Sequence, residues 1–304
     1  MSKTKVFIAG HNGMVGSATL RRLSANPDYE FVLRGSKELN LTNQIDTFAF
    51  FEKEKPALVI LAAAKVGGIQ ANIDSPATFL FNNLLIQNNV IEASRKVGVQ
   101  LLVNIGSSCV YPRECPQPMK EEYLLDGKLE PTNEGYALAK IAGLKMISYY
   151  KKQYGFNALN LMPCNLYGQN DSFDLRHSHV LSALVKRFSD AVDQGAPSIT
   201  LWGTGSARSE FMIVDDLAKA IGYFIQNPFE QEFLNIGWGT DVSIKELATL
   251  IAKKTGFTGE ILWDTTKPDG MPRKCMDVSR MKDLGFEPII TLERGIDEMI
   301  GLYN

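Results

Sequence analysis

The sequence has 304 residues, of which 45 % are hydrophobic and 22 % charged, a composition typical of a globular protein with a sizeable core. Its 32 basic and 34 acidic side chains give a net charge of −2, which argues against a nucleic-acid partner bound through a basic stripe. The four cysteines lack metal-ligand spacing and only three histidines occur, so we expect no metal site. Because no signal peptide or long apolar stretch is present, we expect a cytoplasmic protein without a membrane partner.

Short apolar runs alternate with amphipathic stretches through the first half of the chain. The apolar runs predict strands at residues 6–9, 31–33, 58–62, 101–105 and 158–161. The stretches between them predict helices at about 15–23, 45–52, 76–96 and 134–153. Because continuous apolar strands need cover on both faces, the pattern predicts an α/β fold with a doubly wound parallel sheet of the Rossmann type.

The pattern becomes less regular after about residue 166. Helices predicted at 180–192 and 244–254 are separated by turn-rich segments at 203–205 and 267–270. We therefore predict a dinucleotide-binding domain at 1–165 and a smaller mixed α/β domain at 166–304, mainly for the substrate. Part of the stretch 211–240 is expected to pack back on the first domain.

Three glycines, Gly10, Gly13 and Gly16, follow the first predicted strand directly. Such glycines allow a tight turn, close approach to a pyrophosphate and close packing of the next helix on the strand. The first turn of that helix would offer free N–H groups to the phosphates. The spacing therefore predicts a dinucleotide site, the alternative being an ordinary strand-to-helix turn.

The end of the second strand carries Arg34 and Lys37, and the first acidic residue there is Glu38. A carboxylate at this place suits the 2′-hydroxyl of NAD, whereas a cation suits the 2′-phosphate of NADP. The residues favour NADP(H), unless both cations are solvated loop residues.

Tyr136 and Lys140 lie one helical turn apart, so their side chains share a face of the predicted helix. An ammonium beside a phenol would lower the pKa of the phenol and make Tyr136 an acid for a carbonyl oxygen. Ser107, at the end of the preceding strand, would hold the same oxygen. The alternatives are that the spacing of Tyr136 and Lys140 arises by chance and that Ser107 belongs to an ordinary polar loop.

These motifs, taken together, resemble the extended short-chain dehydrogenase/reductases that act on sugar nucleotides. Within that family the chain is more closely similar to the GDP-L-fucose synthase branch over essentially its whole length. The similar segments are Ala-Ala-Ala-Lys-Val-Gly-Gly at 62–68, Gly-Ser-Ser-Cys-Val-Tyr-Pro at 106–112, Pro-Cys-Asn-Leu-Tyr-Gly at 163–168 and Lys-Pro-Asp-Gly at 267–270.

The resemblance implies NADPH-dependent 3,5-epimerisation and 4-reduction of a GDP-4-keto-6-deoxyhexose. The C4 ketone acidifies the protons on C3 and C5, so that an acid and a base can invert both centres through enolates. By resemblance, Cys109 and His179 are this pair, while Ser107, Tyr136 and Lys140 stabilise the enolate oxygen and complete the reduction. A thiol and an imidazole both exchange protons near neutral pH.

The resemblance also implies the binding residues. Those expected to bind NADP(H) are Gly10, Gly13, Met14, Val15, Gly16, Arg34, Asn40, Leu41, Ala62, Ala63, Ala64, Ile105, Gly106, Ser107, Tyr136, Lys140, Pro163, Asn165, Leu166 and His179. Those expected to bind the GDP-sugar are Ser108, Asn165, Arg187, Trp202, Arg208, Lys267 and Asp269. The simpler interpretations are a solvated helix cation for Arg187 and a core aromatic for Trp202.

The chain departs from the family pattern at several binding positions. The arginine usual at 209 has moved to Arg208, and Ser209 takes its place. Asn12 and Ser36 replace arginines that some members carry near the 2′-phosphate, and Ile213 stands where His or Tyr is usual.

These departures leave alternatives to the full reaction. One is a C4 reductase of a related GDP-4-keto sugar, a 6-deoxyhexose or a heptose, with little or no epimerase activity. Another is a non-catalytic NADP-binding sensor. The helices predicted at 76–96 and 134–153 resemble those that pair across a two-fold axis in this family, which implies a homodimer.

Overall fold

A six-stranded parallel sheet forms the centre of the computed structural model, which describes residues 3–174, 178–267 and 269–303. The strands in chain order are β1 (Thr4–Ala9), β2 (Tyr29–Val32), β3 (Leu58–Leu61), β4 (Leu101–Ile105), β5 (Ala158–Pro163), β6 (Asn165–Tyr167), β7 (Ser198–Trp202), β8 (Arg208–Ser209), β9 (Phe211–Ile213), β10 (Leu234–Ile236), β11 (Val242–Ser243), β12 (Glu260–Asp264) and β13 (Arg273–Lys274). The central sheet has the order β2-β1-β3-β4-β5-β10.

The helices cover both faces of this sheet and form much of the remainder. In chain order they are α1 (Met14–Leu23), α2 (Gln44–Glu54), α3 (Ile69–Asp74), α4 (Pro76–Val97), α5 (Glu134–Tyr154), α6 (Val180–Asp193), α7 (Val214–Gln226), α8 (Ile244–Thr255), α9 (Ser279–Asp283) and α10 (Leu292–Tyr303). No helix within the described ranges combines the length and apolarity needed to cross a bilayer.

Burial explains why the central strands carry continuous apolar runs. Every residue of β3 is buried, because β1 and β4 pair with it in parallel and helices cover both faces. The predicted parallel α/β fold of the Rossmann type is therefore confirmed. The strand order reverses between β1 and β3, and such a switch point opens a ligand crevice at the carboxyl ends of the strands.

The second half of the chain builds a separate apolar core from short strands and three helices. Here α6 packs against α8 and α10, around buried residues that include Phe188, Leu247 and Ile296. Three small sheets, β6-β9, β7-β12 and β11-β8-β13, flank this core.

Two elements of the second half belong to the layers of the central sheet. Helix α7 packs against α1, and β10 extends the sheet by pairing in parallel with β5. The division of the chain at residue 165 stays a prediction.

Candidate active site

A cleft of about 460 Å³ lies at the carboxyl ends of the central strands. Its walls come from the turn after β1, the loop after β2, the ends of β3, β4 and β5, and the start of α5. Every residue for which the sequence predicts a cofactor contact lines this cleft, from Gly10 to His179. Ser108, predicted to bind the substrate, lines it as well.

The glycine turn brings helix α1 very close to the end of β1. Gly10 has a φ of +87°, and its carbonyl oxygen accepts a hydrogen bond of 3.0 Å from Gly13 N. A Cβ atom added at Gly16 would lie only 2.1 Å from the same oxygen, so this position requires glycine.

The start of α1 has the features of an anion site. Gly13 is its N-cap residue, no side chain caps its N–H groups, and its first turn contains no acidic residue. His11, in the adjoining turn, lines the cleft and has a buried Nδ1 atom without a hydrogen-bond partner. Free helix N–H groups beside a partnerless buried polar atom fit the pyrophosphate of a dinucleotide.

The loop after β2 brings one cation, Arg34, to the cleft. The Arg34 guanidinium donates a 2.7 Å hydrogen bond to Leu33 O and lies 3.4 Å from the Glu54 carboxylate. No Asp or Glu occurs among the described residues that line the cleft. The first acid of this loop, Glu38, has its carboxylate held by Gly35 N at 2.8 Å, whereas Lys37 stays outside the lining.

Ser107, Tyr136 and Lys140 all line the inner part of the cleft. Lys140 Nζ donates a 2.8 Å hydrogen bond to Ile105 O and lies 5.7 Å from the centroid of the Tyr136 ring. Burial lowers the pKa of Lys140 to about 8.

The pKa of Tyr136 differs from the sequence expectation. Burial raises this pKa above its usual value, and the nearby Cys109 acts in the same direction. The expected net lowering of the Tyr136 pKa is wrong for this structure, because the cost of desolvating a phenolate dominates. Tyr136 is therefore a phenol that keeps its proton, as a proton donor must.

Cys109 lies directly behind the cleft wall, in a 3-10 turn at Ser108–Val110. Its side chain is buried and does not reach the lining, and its backbone N–H donates to Ser107 Oγ at 3.4 Å. Burial raises the pKa of the Cys109 thiol, while the positive charges of Lys274 and Lys140 oppose that rise.

Lys274 is a residue of this region that the sequence did not reveal. Its Nζ atom donates a 3.4 Å hydrogen bond to Asn165 Oδ1, at the wall of the cleft, and burial lowers its pKa. Lys274 arrives on the two-residue strand β13, which pairs with β8 so that Lys274 lies beside Ser209. So short a strand has no periodicity, and only the spatial pairing shows where this cation lies.

Four of the predicted substrate residues gather at the end of β7, outside the cleft lining. Lys267 Nζ lies 5.5 Å from the ring centroid of the exposed Trp202. The Asp269 carboxylate accepts hydrogen bonds from Thr204 N at 2.6 Å and Thr204 Oγ1 at 2.8 Å. Arg187 donates to Thr200 O at 3.2 Å, in the same strand.

Two further sequence predictions concern residues near this group. Pro268, within the Lys-Pro-Asp-Gly segment, lies outside the described residues. Arg208 is held away from the cleft by ion pairs with Asp241 and with Glu246, the latter at 3.2 Å. The other Asp241 oxygen binds Arg273 at 2.6 Å. A contact between Arg208 and the substrate stays a prediction.

Known proteins resemble the chain over nearly its full length. The profile of the NAD dependent epimerase/dehydratase family matches residues 6–237. GDP-L-fucose synthase 1 of Arabidopsis thaliana is 49 % identical over 299 residues, which cover 98 % of this chain and 93 % of that protein. GDP-L-fucose synthase of Escherichia coli (strain K12) is 47 % identical over 305 residues, with 97 % and 95 % covered.

Solved structures share both the fold and a substantial part of the sequence, and one of them illustrates the similarity. GDP-mannoheptose C4 reductase from Campylobacter jejuni with NADP bound superposes with a TM-score of 0.91 at 36 % identity. The match covers 100 % of this chain and 98 % of that one.

Proposed function

The chain belongs to the NAD-dependent epimerase/dehydratase family, and we propose that it catalyses NADPH-dependent 3,5-epimerisation and 4-reduction of a GDP-4-keto-6-deoxyhexose. The product is GDP-L-fucose or a close relative. The observation that carries this proposal is a single cleft that contains both the glycine turn and the proton-transfer side chains Ser107, Tyr136 and His179.

Epimerisation needs a base and an acid near carbons 3 and 5 of the sugar. A base removes the proton from C3 or C5, the electron pair moves to the C4 oxygen as an enolate, and an acid returns a proton to the opposite face of the carbon. The raised pKa of Cys109 keeps it as a thiol, which suits the acid, and His179 is then the base. Ser107 and Tyr136 stabilise the enolate oxygen.

Reduction uses the same oxygen and the same donors. When bound, NADPH supplies the hydride that C4 receives. Tyr136 gives its proton to the C4 oxygen as the carbonyl becomes a hydroxyl, and burial favours this direction because the phenol holds its proton in the cleft. Lys140, hydrogen-bonded to Ile105 O, places a cation behind Tyr136 that stabilises the phenolate left after the transfer.

The charge of the cleft supports NADP(H) over NAD(H). Arg34 supplies a cation at the adenosine end, and the described lining residues include no carboxylate that would bind a free 2′-hydroxyl. The similar Campylobacter jejuni reductase carries NADP.

A homodimer is the assembly we propose. Helices α4 and α5 pack side by side and expose large apolar residues on their outer faces, among them Phe81 (63 % exposed), Leu138 (44 %) and Tyr149 (65 %). Large apolar side chains exposed on two neighbouring helices favour an interface there.

C4 reduction without epimerisation is the second candidate. It is favoured by the similarity to a C4 reductase and by the position of Cys109 behind the cleft wall rather than in it. Incubation with GDP-4-keto-6-deoxymannose and NADPH, followed by NMR of the product, separates the two. GDP-L-fucose supports the full reaction, a 4-reduced sugar with unchanged C3 and C5 supports the reductase, and no conversion points to another substrate, such as a GDP-4-keto-heptose.

A further inference from the structure

Asp171 places a buried carboxylate against the ring of His179. Its Oδ1 atom lies 3.4 Å from His179 Nδ1. Only 5 % of the Asp171 side chain is exposed, compared with 42 % of the His179 side chain. Nδ1 of the imidazole thus faces a buried carboxylate, while His179 also lines the cleft.

The carboxylate is fixed through both of its oxygens. Ser172 N donates a 2.8 Å hydrogen bond to Oδ1, and the Ser182 hydroxyl donates to Oδ2. His179 is the N-cap residue of α6 and Ser182 lies in its first turn, so two residues at the start of one helix contact the same carboxylate. This arrangement restricts both the ring and its anionic partner.

The turn that carries Asp171 is also tied to helix α1. Asp171 N donates to Gly168 O at 3.0 Å, and Asn170 adopts a left-handed φ of +68°. The Asn170 side-chain amide then donates a 2.9 Å hydrogen bond to Ser17 Oγ in α1. Because the first residues of α1 line the cleft, the position of His179 is linked to the wall on which the pyrophosphate would lie.

We propose that Asp171 is a positioning residue that holds His179 as the Nδ1–H tautomer and leaves Nε2 to exchange the proton with the sugar. The proposal rests on the proposed role of His179 in epimerisation. An ionised carboxylate only accepts hydrogen bonds, so the nitrogen that faces it must carry the proton. The same anion stabilises the imidazolium that forms when Nε2 takes a proton.

Histidine NMR tests the tautomer without any substrate. The chain contains three histidines, so ¹⁵N-histidine labelling gives three pairs of ring-nitrogen signals, and His179→Gln identifies the Nδ1 and Nε2 signals of His179. Asp171 contacts the ring, and the other titratable residues described in the cleft lining are His11, Arg34, Tyr136, Lys140 and Cys164. We expect the Nδ1–H tautomer in the native protein and a loss of that preference in Asp171→Asn, because an amide can donate as well as accept a hydrogen bond.

Solvent exchange gives the functional readout. We expect Asp171→Asn to slow deuterium uptake at C3 and C5 about 100-fold or more, which is the smaller end of the rate loss caused by removing an acid–base group. The affinity for NADPH should change less than twofold. Asp297→Asn is the matched control, because this exposed carboxylate pairs only with Lys254 among the ion pairs of the described residues, and exchange should be unchanged.

Three outcomes would overturn the proposal. They are an Nε2–H tautomer in the native protein, unchanged exchange in Asp171→Asn, and an equal slowing in Ser182→Ala, which would show that the carboxylate only orders the start of α6. If His179→Gln leaves exchange intact, the proposed epimerisation role of His179 is wrong, and the NMR result still decides whether Asp171 sets the tautomer.

Discussion

Burial determines the protonation of the reactive side chains more strongly than their neighbours do. The phenol of Tyr136 and the thiol of Cys109 both have raised pKa values, and Lys140 has a lowered one, in each case with desolvation as the largest cause. The cleft therefore keeps its donors protonated at neutral pH. A proton donated to the C4 oxygen or to a sugar carbon is available without prior uptake from solvent.

Cys109→Ser tests the acid of the epimerisation step. A serine hydroxyl is a far weaker acid than a thiol, so we expect deuterium uptake from solvent at C3 and C5 to fall at least about 100-fold. NMR of recovered substrate measures this uptake. Cys275→Ser is the matched control, because Cys275 is also buried but lies after β13 rather than in the turn that follows Ser107, and its exchange rate should equal that of the native protein. Rapid exchange in Cys109→Ser would rule out the thiol as the acid.

Lys140→Met should stabilise the fold while removing reductase activity. The pKa of Lys140 falls from 10.5 to about 8 on folding, and a shift of this size corresponds to about 3 kcal/mol of destabilisation. The loss of the hydrogen bond to Ile105 O offsets part of the gain. We expect the free energy of unfolding at pH 7 to rise by about 1–3 kcal/mol, measured by urea titration.

The pH dependence of this gain has a definite sign. Below about pH 8 the Lys140 ammonium is charged in both states, so the native protein bears the full cost of burying it. Between about pH 8 and 10.5 the native protein loses the proton first, so its stability rises with pH and the advantage of Lys140→Met shrinks. Lys145→Met, at a partly exposed ion pair with Glu232, should show neither the gain nor the trend. A variant less stable than the native protein at pH 7 contradicts the argument.

At the scale of single elements, two glycines of the turn from β1 to α1 have different expected roles. One variant should change the stability of the fold and the other the affinity for NADPH. Gly16→Ala puts a Cβ 2.1 Å from Gly10 O, whereas the Cβ in Gly13→Ala meets the same oxygen at an ordinary 3.5 Å. Alanine inside a helix normally adds about 1 kcal/mol over glycine, but overpacking costs about 1–3 kcal/mol. We expect Gly16→Ala to lower the free energy of unfolding by about 1–3 kcal/mol, measured by urea titration.

Gly13→Ala should instead affect binding. This residue is the N-cap of α1 and its backbone is extended, with a φ of −80°, so alanine fits the fold. The added methyl group lies where a pyrophosphate would approach the helix, and we expect NADPH affinity, followed by nucleotide fluorescence, to fall at least tenfold. If both variants lost the same amount of stability and the same amount of NADPH affinity, the two glycines would have the same role.

The strands and long helices of the first half could be predicted from the sequence because their patterns are local. Helix α5 is predicted at about 134–153 and runs from Glu134 to Tyr154, whereas the strand predicted at 31–33 runs from Tyr29 to Val32. The elements that were not predicted are α3, α7, α9, α10 and every strand after β5. Strands β10 and β13 show one reason, because two or three residues have no periodicity and their partners are distant in sequence.

Only part of the candidate site could be predicted from the sequence, for the same reason. Its glycine turn and its Tyr-Lys pair could be recognised by spacing, since each occupies one turn of chain. Lys274 and Asp171 could not, because the first reaches Asn165 from 109 residues away and the second meets His179 only through an irregular turn. Contacts set by tertiary packing leave no trace in a single sequence.

At the scale of the whole molecule, a buried acid connects the central sheet to the substrate-side strands. The Glu210 carboxylate accepts hydrogen bonds of 2.8 Å from Gly239 N, just beyond β10, and from Met276 N, just beyond β13. Its own N–H donates to Lys274 O at 3.1 Å. Burial raises the pKa of Glu210 to about 7, and the three backbone contacts hold Lys274 in fixed relation to the cleft.

The outer faces of α4 and α5 test the proposed assembly. Tyr149→Glu puts a charge where we propose a second copy of the chain to pack, and burying an unpaired charge in an interface is strongly unfavourable. Sedimentation analysis should give twice the monomer mass for the native protein and the monomer mass for the variant. Ile289→Glu is the matched control, because Ile289 is also exposed (67 %) but lies beyond α9. This variant should still sediment with twice the monomer mass. A native protein that sediments as a monomer, or a Tyr149→Glu variant that stays dimeric, would show that this face is not the interface.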